Sequence, residues 1–355
     1  MLPVNTSRAE TQYEMYADVG YLASNRDSEG NEWPGKSTTS ELDQLNLHLI
    51  MANLRKEADT GSRWGFEIGL QAGEDADNLV PSAPPESNRP VKYADELRHL
   101  YRANVSYLFG EDGGLKLTGG LINSFIGYES YVAIQNANYT RSYFADAAPY
   151  FLVGAEAMWD VSESTDLGFY LITGFNYLAD ANDAPSLGFA GNFQLTDSTK
   201  FVQNFYYGPD QADTSLEFWR FLSNSILKWE GSKLSIAASL DIGSEKQAEE
   251  AGTPRADWLG GAVWIDWAVT EKMNLALRPE FQRDTGGIIT GSEQSTRGIT
   301  GTLKYEWLPH GNRIVTVLEA RYDHSRGDEG GFPEDDGNIP SDQTMIIASF
   351  MWQFQ

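Results

Sequence analysis

Trp229-Glu230-Gly231-Ser232-Lys233-Leu234-Ser235-Ile236-Ala237-Ala238-Ser239-Leu240-Asp241-Ile242 carries the fold in miniature. Glu230-Gly231-Ser232 is a tight-turn sequence, rich in residues that tolerate sharp backbone reversal. After it, Leu234, Ile236, Ala238, Leu240 and Ile242 alternate with Lys233, Ser235, Ala237, Ser239 and Asp241. A period of two puts the first set on one face of a strand and the second set on the other.

The same period recurs from end to end. Tyr13, Met15, Ala17, Val19 and Tyr21 form one such face, and Trp64, Phe66, Ile68 and Leu70 another. Tyr101, Ala103, Val105 and Tyr107 repeat it, as do Ile346, Ala348, Phe350, Trp352 and Phe354 near the end. The pattern predicts about 16 strands of roughly 10 to 15 residues, the length of a tilted bilayer-spanning strand. The spans are 10–24, 42–56, 62–73, 96–110, 115–127, 149–161, 166–178 and 186–196, then 199–208, 215–229, 233–244, 256–269, 273–284, 296–308, 312–325 and 342–354. Segment 199–208 is the least regular, which leaves a count of about 14 open.

The connections alternate between short and long. Ala58-Asp59-Thr60-Gly61, Glu111-Asp112-Gly113-Gly114, Ser162-Glu163-Ser164-Thr165, Glu230-Gly231-Ser232 and His310-Gly311 are short. Segments 25–41, 74–95, 128–148, 245–255, 285–295 and 326–341 are long. A soluble sandwich has no reason to sort its connections this way. A membrane barrel does, with tight periplasmic turns, long extracellular loops and an even strand number. The fold expected is all-β: a single antiparallel transmembrane β-barrel spanning residues 1–355, with no second domain.

Composition agrees. No stretch reaches the roughly 18 to 20 apolar residues of a transmembrane helix, a test that strands of a barrel escape. Met1-Leu2-Pro3-Val4 shows no secretory signal, so the sequence reads as a mature form. Cysteine is absent, which removes disulfide and thiolate-metal chemistry. Acidic residues outnumber basic ones 51 to 26, for a formal charge of -25, and nucleic acid is excluded as a partner. Trp64, Phe109, Trp159, Trp229, Trp267, Trp307, Trp352 and Phe354 fall near strand ends on the apolar face, the pattern of an interfacial girdle.

Charge divides between loops and lumen. Glu74, Asp75, Asp77, Glu86, Asp95 and Glu96 face only Arg89 and Lys92 in one long loop. Another holds Asp328, Glu329, Glu334, Asp335, Asp336 and Asp342 against Arg326. These acids either keep the outer face solvated, or enrich cations and bridge to lipopolysaccharide through divalent ions. Alternation turns Arg278, Lys304, Arg321, Glu280, Glu319 and Asp323, among others, inward. Such mixed charge predicts a wet lumen, since a dry one would demand pairing.

Arg63, Arg98, Arg102 and Lys116 come from three consecutive strands and are expected to form one basic wall. Glu129 and Asp146 of the long loop 128–148 would face it, with Arg141 and Glu67 nearby. The bland alternative pairs each Arg with a neighbour such as Glu67. Loop 128–148 reads Tyr128-Glu129-Ser130-Tyr131, then Asn138-Tyr139-Thr140-Arg141-Ser142-Tyr143, aromatic and weakly charged. That suits a segment folded into the lumen as a constriction, and the alternative is a surface loop over the mouth.

Gly127-Tyr128-Glu129, the Asn138–Ser142 stretch and Pro149 resemble the hallmark region of the β-barrel porin-2 family, the OmpL-like porins. The resemblance covers the middle third and implies an outer-membrane barrel with a pore role, without a substrate. One departure is the end: Phe354 is followed by Gln355, where barrels usually finish on an aromatic residue.

Catalysis finds no support. The four histidines, His48, His99, His310 and His324, show no metal-ligand spacing, and no phosphate loop or nucleophile elbow occurs. No metal and no cofactor are expected. The reading is a porin-type channel of the bacterial outer membrane for passive diffusion of small hydrophilic solutes or ions. Its partners are lipid and lipopolysaccharide, and by analogy two further copies in a homotrimer. The competing reading is a non-conducting barrel: a sheath for a cytochrome or other partner, or an adhesin.

Overall fold

The computed structural model describes residues 10–78, 97–110, 114–175, 178, 182–211, 214–247, 255–307, 312–327 and 330–355. The turn residues 111–113 and 308–311, with His310, lie outside them, as do Glu86, Arg89, Lys92, Asp95, Glu96, Asp328 and Glu329. Sixteen strands run in order. They are β1 (Gln12–Ser24), β2 (Leu45–Lys56), β3 (Trp64–Ala72), β4 (Leu100–Phe109), β5 (Leu115–Asn123), β6 (Phe151–Ser162), β7 (Thr165–Ile172) and β8 (Ser186–Thr196), then β9 (Thr199–Pro209), β10 (Trp219–Glu230), β11 (Leu234–Lys246), β12 (Arg255–Ala268), β13 (Met273–Asp284), β14 (Gln294–Glu306), β15 (Arg313–Arg326) and β16 (Asp342–Phe354). Each pairs antiparallel with its sequence neighbours, and β1 closes on β16 from Met15 opposite Phe354 to Ser24 opposite Met345. Closure leaves no open sheet edge, which a bilayer would not tolerate. Among the described residues no helix is long and apolar enough to cross a membrane.

Burial is inside out. On β11 the apolar Ile236, Leu240 and Ile242 are exposed, while Ala237, Ser239 and Asp241 between them are buried. On β16, Ile346 and Phe350 face outward and Ser349 and Gln353 inward. The outer face is therefore the apolar one, as lipid requires. Trp64, Phe109, Trp159, Trp229, Trp267 and Trp307 are all exposed, and all sit at the short-turn ends of their strands. These six mark the periplasmic side, while exposed Tyr21, Tyr207 and Tyr322 stand near the long-loop ends of β1, β9 and β15.

The strand count is 16, not 14. Segment 199–208 is irregular because its inward set includes Val202 and Tyr206, both buried, with Tyr206 part of an apolar cluster inside the barrel. Two strands stop sooner than their apolar content suggests. β5 ends at Asn123 and β7 at Ile172, because Phe125, Ile126 and Phe175 beyond them turn into the barrel and join one apolar cluster. Gly120 and Gly154 face each other across β5 and β6, both at positive φ. A Cβ at Gly120 would lie 2.2 Å from the Ala103 carbonyl oxygen, and one at Gly154 2.2 Å from that of Leu171. Only glycine lets the wall bend there, just before the chain leaves it.

Candidate pore interior

The segment from Ser124 to Tyr150, between β5 and β6, bonds to side chains that β12 to β15 and β1 send inward. Its backbone must find partners away from water, and the inward carboxylates supply them. Glu319 of β15 accepts from Tyr139 N at 2.7 Å, Thr140 N at 3.1 Å and Thr140 Oγ1 at 2.5 Å. Glu280 of β13 accepts from Tyr143 N at 2.8 Å, at the start of α2 (Tyr143–Asp146). Asp18 of β1 accepts from the Tyr139 hydroxyl at 3.0 Å.

The cations of the same wall complete the set. Arg278 donates to Glu129 Oε1 at 2.7 Å, to Glu280 at 3.1 Å and to the Thr140 carbonyl. Arg321 meets Glu280 at 2.9 Å, binds Asp323, and donates to the Arg141 carbonyl at 3.0 Å. Glu129 also takes Trp264 Nε1 at 3.1 Å and the backbone N–H of Ser142 at 2.8 Å. All four of Arg278, Arg321, Glu280 and Glu319 are buried.

Two further loops lock the outer side of this segment. From the β1–β2 connection, Trp33 Nε1 donates to the Tyr143 hydroxyl at 2.9 Å and Lys36 pairs with Asp146, which also accepts from Thr38 Oγ1 at 2.7 Å. Burial pushes the Lys36 ammonium below the ordinary lysine range, against the pull of Asp146. After β3, helix α1 (Glu74–Asn78) brings Asp75 to 3.5 Å from Arg141, whose guanidinium also donates to the Ser130 and Tyr131 carbonyls.

The opposite flank is open. Between Ser130, Tyr131 and Tyr150 on the loop and Glu67, Tyr101 and Arg102 on β3 and β4 lies a polar cavity of about 250 Å³. A second, of about 240 Å³, extends past Lys116, Thr118 and Glu156 and shares Arg55, Glu67, Asn123 and Ser124 with the first. A third, of about 360 Å³, begins at Glu14, Asn53 and Arg55 and reaches Gln355.

The predicted site residues divide accordingly. Arg102 and Glu67 line the first cavity, with Nε of Arg102 3.9 Å from Glu67 and the guanidinium lying over the Tyr101 ring at 4.1 Å. Lys116 lines the second and sits 3.8 Å from Glu57. Arg63 is spent on the carbonyls of Leu108 and Gly110 at the short-turn end. Arg98, before the opposite end of β4, meets Asp77 at 3.8 Å.

The four do not form one wall. Lys116 is in register with Leu108, eight residues along β4 from Leu100, or roughly 26 Å at 3.3 Å per residue. Of the two loop acids, Glu129 lines the first cavity together with Arg102 and Glu67, whereas Asp146 is not among its lining residues. Glu129 is committed to Arg278 and Asp146 to Lys36. Inward charge is also not wet everywhere, since on β13 and β15 it is desolvated and paired. Arg55 was legible from its alternation with outward Leu54, whereas Lys36, Glu74 and Asp75 lie in loops where no period applies.

Against sequence families, residues 11–354 match the model described as putative beta-barrel porin-2, OmpL-like. The chain belongs to this family. It is a porin of the bacterial outer membrane. No curated protein matches this porin in sequence. Its fold is shared by OmpF of Salmonella typhi, with a TM-score of 0.60 at 9% identity over 98% of both chains. OmpT of Vibrio cholerae, in a trimer form, aligns with a TM-score of 0.59 at 8% identity over 97% of this porin and 100% of OmpT. An anion-selective porin from Comamonas acidovorans gives 0.58 at 10% identity, over 98% and 100% of the two chains.

Proposed function

We propose that small hydrophilic solutes cross this porin along its β1–β6 flank, past a constriction made by loop 128–148. The observation that carries this is the run of three cavities that share Arg55 between the periplasmic mouth and the loop, the inner two also sharing Glu67. Arg55, Arg102 and Lys116 on that route stand against Glu14, Glu67 and Glu156, so the path itself is close to charge-balanced. The acidic outer loops then supply a mild preference for cations, felt at the mouth and screened by salt. No catalytic step is assigned. Lipid and lipopolysaccharide surround the barrel, and a homotrimer is the assembly we favour, on the analogy of the trimeric OmpT form.

The test is single-channel conductance of the folded protein in a planar bilayer, with a salt gradient across it. Steady ohmic steps and a small cation-directed reversal potential support the reading. Folded, inserted protein that passes no current would end it, in favour of a sheath or an adhesin.

A further inference from the structure

Beyond the permeation path, one cluster carries ligand chemistry of its own. His48 of β2 meets the first two residues of α1. Its Nδ1 lies 2.6 Å from Glu74 Oε2, and one ligand atom from each of His48, Glu74 and Asp75 falls within 4.8 Å of the others. All three residues are buried.

The anchoring of these side chains is what distinguishes the cluster from a chance meeting of acids. Glu74 Oε1 accepts from Ser40 N at 2.5 Å, Ser40 Oγ at 2.9 Å and Glu41 N at 2.9 Å, leaving Oε2 directed at the imidazole. Asp75 Oδ1 accepts from Thr39 N at 2.7 Å, while its Oδ2 makes no hydrogen bond among the described residues and stands 3.5 Å from Arg141 as its ion-pair partner. His48 Nε2, equally buried and without a partner, lies beside the Tyr139 hydroxyl, both groups being within 3.0 Å of where a Gly20 Cβ would stand. Each carboxylate thus has one oxygen held by backbone N–H groups of residues 39–41 and the other outside that anchoring, the relation that outer-shell hydrogen bonds create around metal ligands.

Charge points the same way. Asp18, whose electrostatic neighbours include His48 and Arg141, adds a third buried carboxylate with an unpartnered Oδ2. Against Asp18, Glu74 and Asp75 stands one permanent cation, Arg141. Three buried carboxyl groups thus share one permanent cation, and buried charge is costly unless compensated. Imidazole with carboxylate oxygens suits a divalent ion of the zinc class.

We propose that His48, Glu74 and Asp75 form a binding site for a divalent transition-metal ion, which fastens α1 to β2. Binding displaces the proton between His48 and Glu74, which moves to the unpartnered Nε2 and keeps the imidazole neutral, and widens that pair to about 3.3 Å, the separation of two ligands around a tetrahedral ion.

The test uses the tag-free full chain, folded in detergent and freed of metal by chelation. Zn²⁺ binding is titrated by calorimetry, and Cu²⁺ serves as a pulsed-EPR probe for imidazole nitrogen. We expect one tight Zn²⁺ per chain, imidazole coupling on bound Cu²⁺, and affinity at least about tenfold weaker in H48N and in D75N. Heat-modifiable gel mobility reports that each variant is folded. Absence of Zn²⁺ binding, bound Cu²⁺ without imidazole coupling, or binding unchanged in both folded variants would each overturn the site. The last would assign the metal to the acidic loops, and the wild-type spectrum decides the matter even where a variant does not fold.

Discussion

Two flanks of the same barrel put charged residues at equivalent inward positions and treat them in opposite ways. On β13 to β15, Arg278, Glu280, Glu319 and Arg321 are buried and bonded to the loop from Ser124 to Tyr150. On β2 to β5, Arg55, Glu67 and Lys116 line cavities and are only loosely paired. Alternation is the same on both flanks. The difference comes from the loop, whose backbone donors lean on one wall and leave the other to water. An inward charge in a barrel is therefore two different things, a fastening where polypeptide covers it and a field where it does not.

Removing a fastening is the severest test of that distinction. Arg278→Ala leaves Glu129 and Glu280 buried without their shared cation, and breaking a buried pair costs about 3–5 kcal/mol. Urea unfolding of the detergent-folded barrel would register the loss, and single-channel records would become larger and noisier as the loop detaches. A variant as stable and as quiet as wild type would show that the loop is held elsewhere.

On the open flank the same kind of change acts on the field and spares the fold. Arg55→Gln is expected to move the reversal potential toward cations, and Glu67→Gln toward anions. Both stay within about 1 kcal/mol of wild-type stability, the range for solvated charges. Shifts of the same sign, or a stability loss comparable to Arg278→Ala, would erase the contrast between the flanks. A smaller effect follows from screening. The Debye length shrinks from about 8 Å at physiological salt to about 3 Å at 1 M. The preference contributed by the outer acids fades over that range, whereas loop attachment through Arg278, being desolvated, does not.

How far the sequence goes can be seen at particular residues. Period-two patterning marked all sixteen strands within a few residues and turned Arg278, Glu319 and Arg321 inward, because lipid on one side leaves no freedom in that assignment. It misjudged their solvent, since whether Glu319 is wet depends on Tyr139 and Thr140, about half the chain away. It assembled Arg63, Arg98, Arg102 and Lys116 into one wall because strand order is legible while height along the strand depends on register. The pairing of Lys36 with Asp146 carries no local signal, since the two residues meet groups more than 100 positions away in each other's loops. Neither does the meeting of His48 with Glu74 and Asp75, where the ligand types are familiar but no spacing rule joins a strand to the loop after its neighbour.

The finest test concerns Lys36 on the dry flank. Burial is the larger influence on its ammonium and holds it below the ordinary value of 10.5, with Asp146 pulling the other way. The folded protein therefore releases this proton before the unfolded chain does. Between those two points the unfolded state binds more protons, so the stability contributed by this group rises with pH. It is fully present above 10.5 and lost as pH falls through the folded value. Other groups titrate in the same range, so the quantity to measure is the difference in urea midpoint between wild type and Lys36→Met. That difference should grow in favour of wild type as pH is raised from neutrality toward 10.5. A difference that stays flat would place Lys36 in water, and a shrinking one would mean that Asp146 outweighs burial. Either result would move the boundary between the two flanks to the inner side of the first loop.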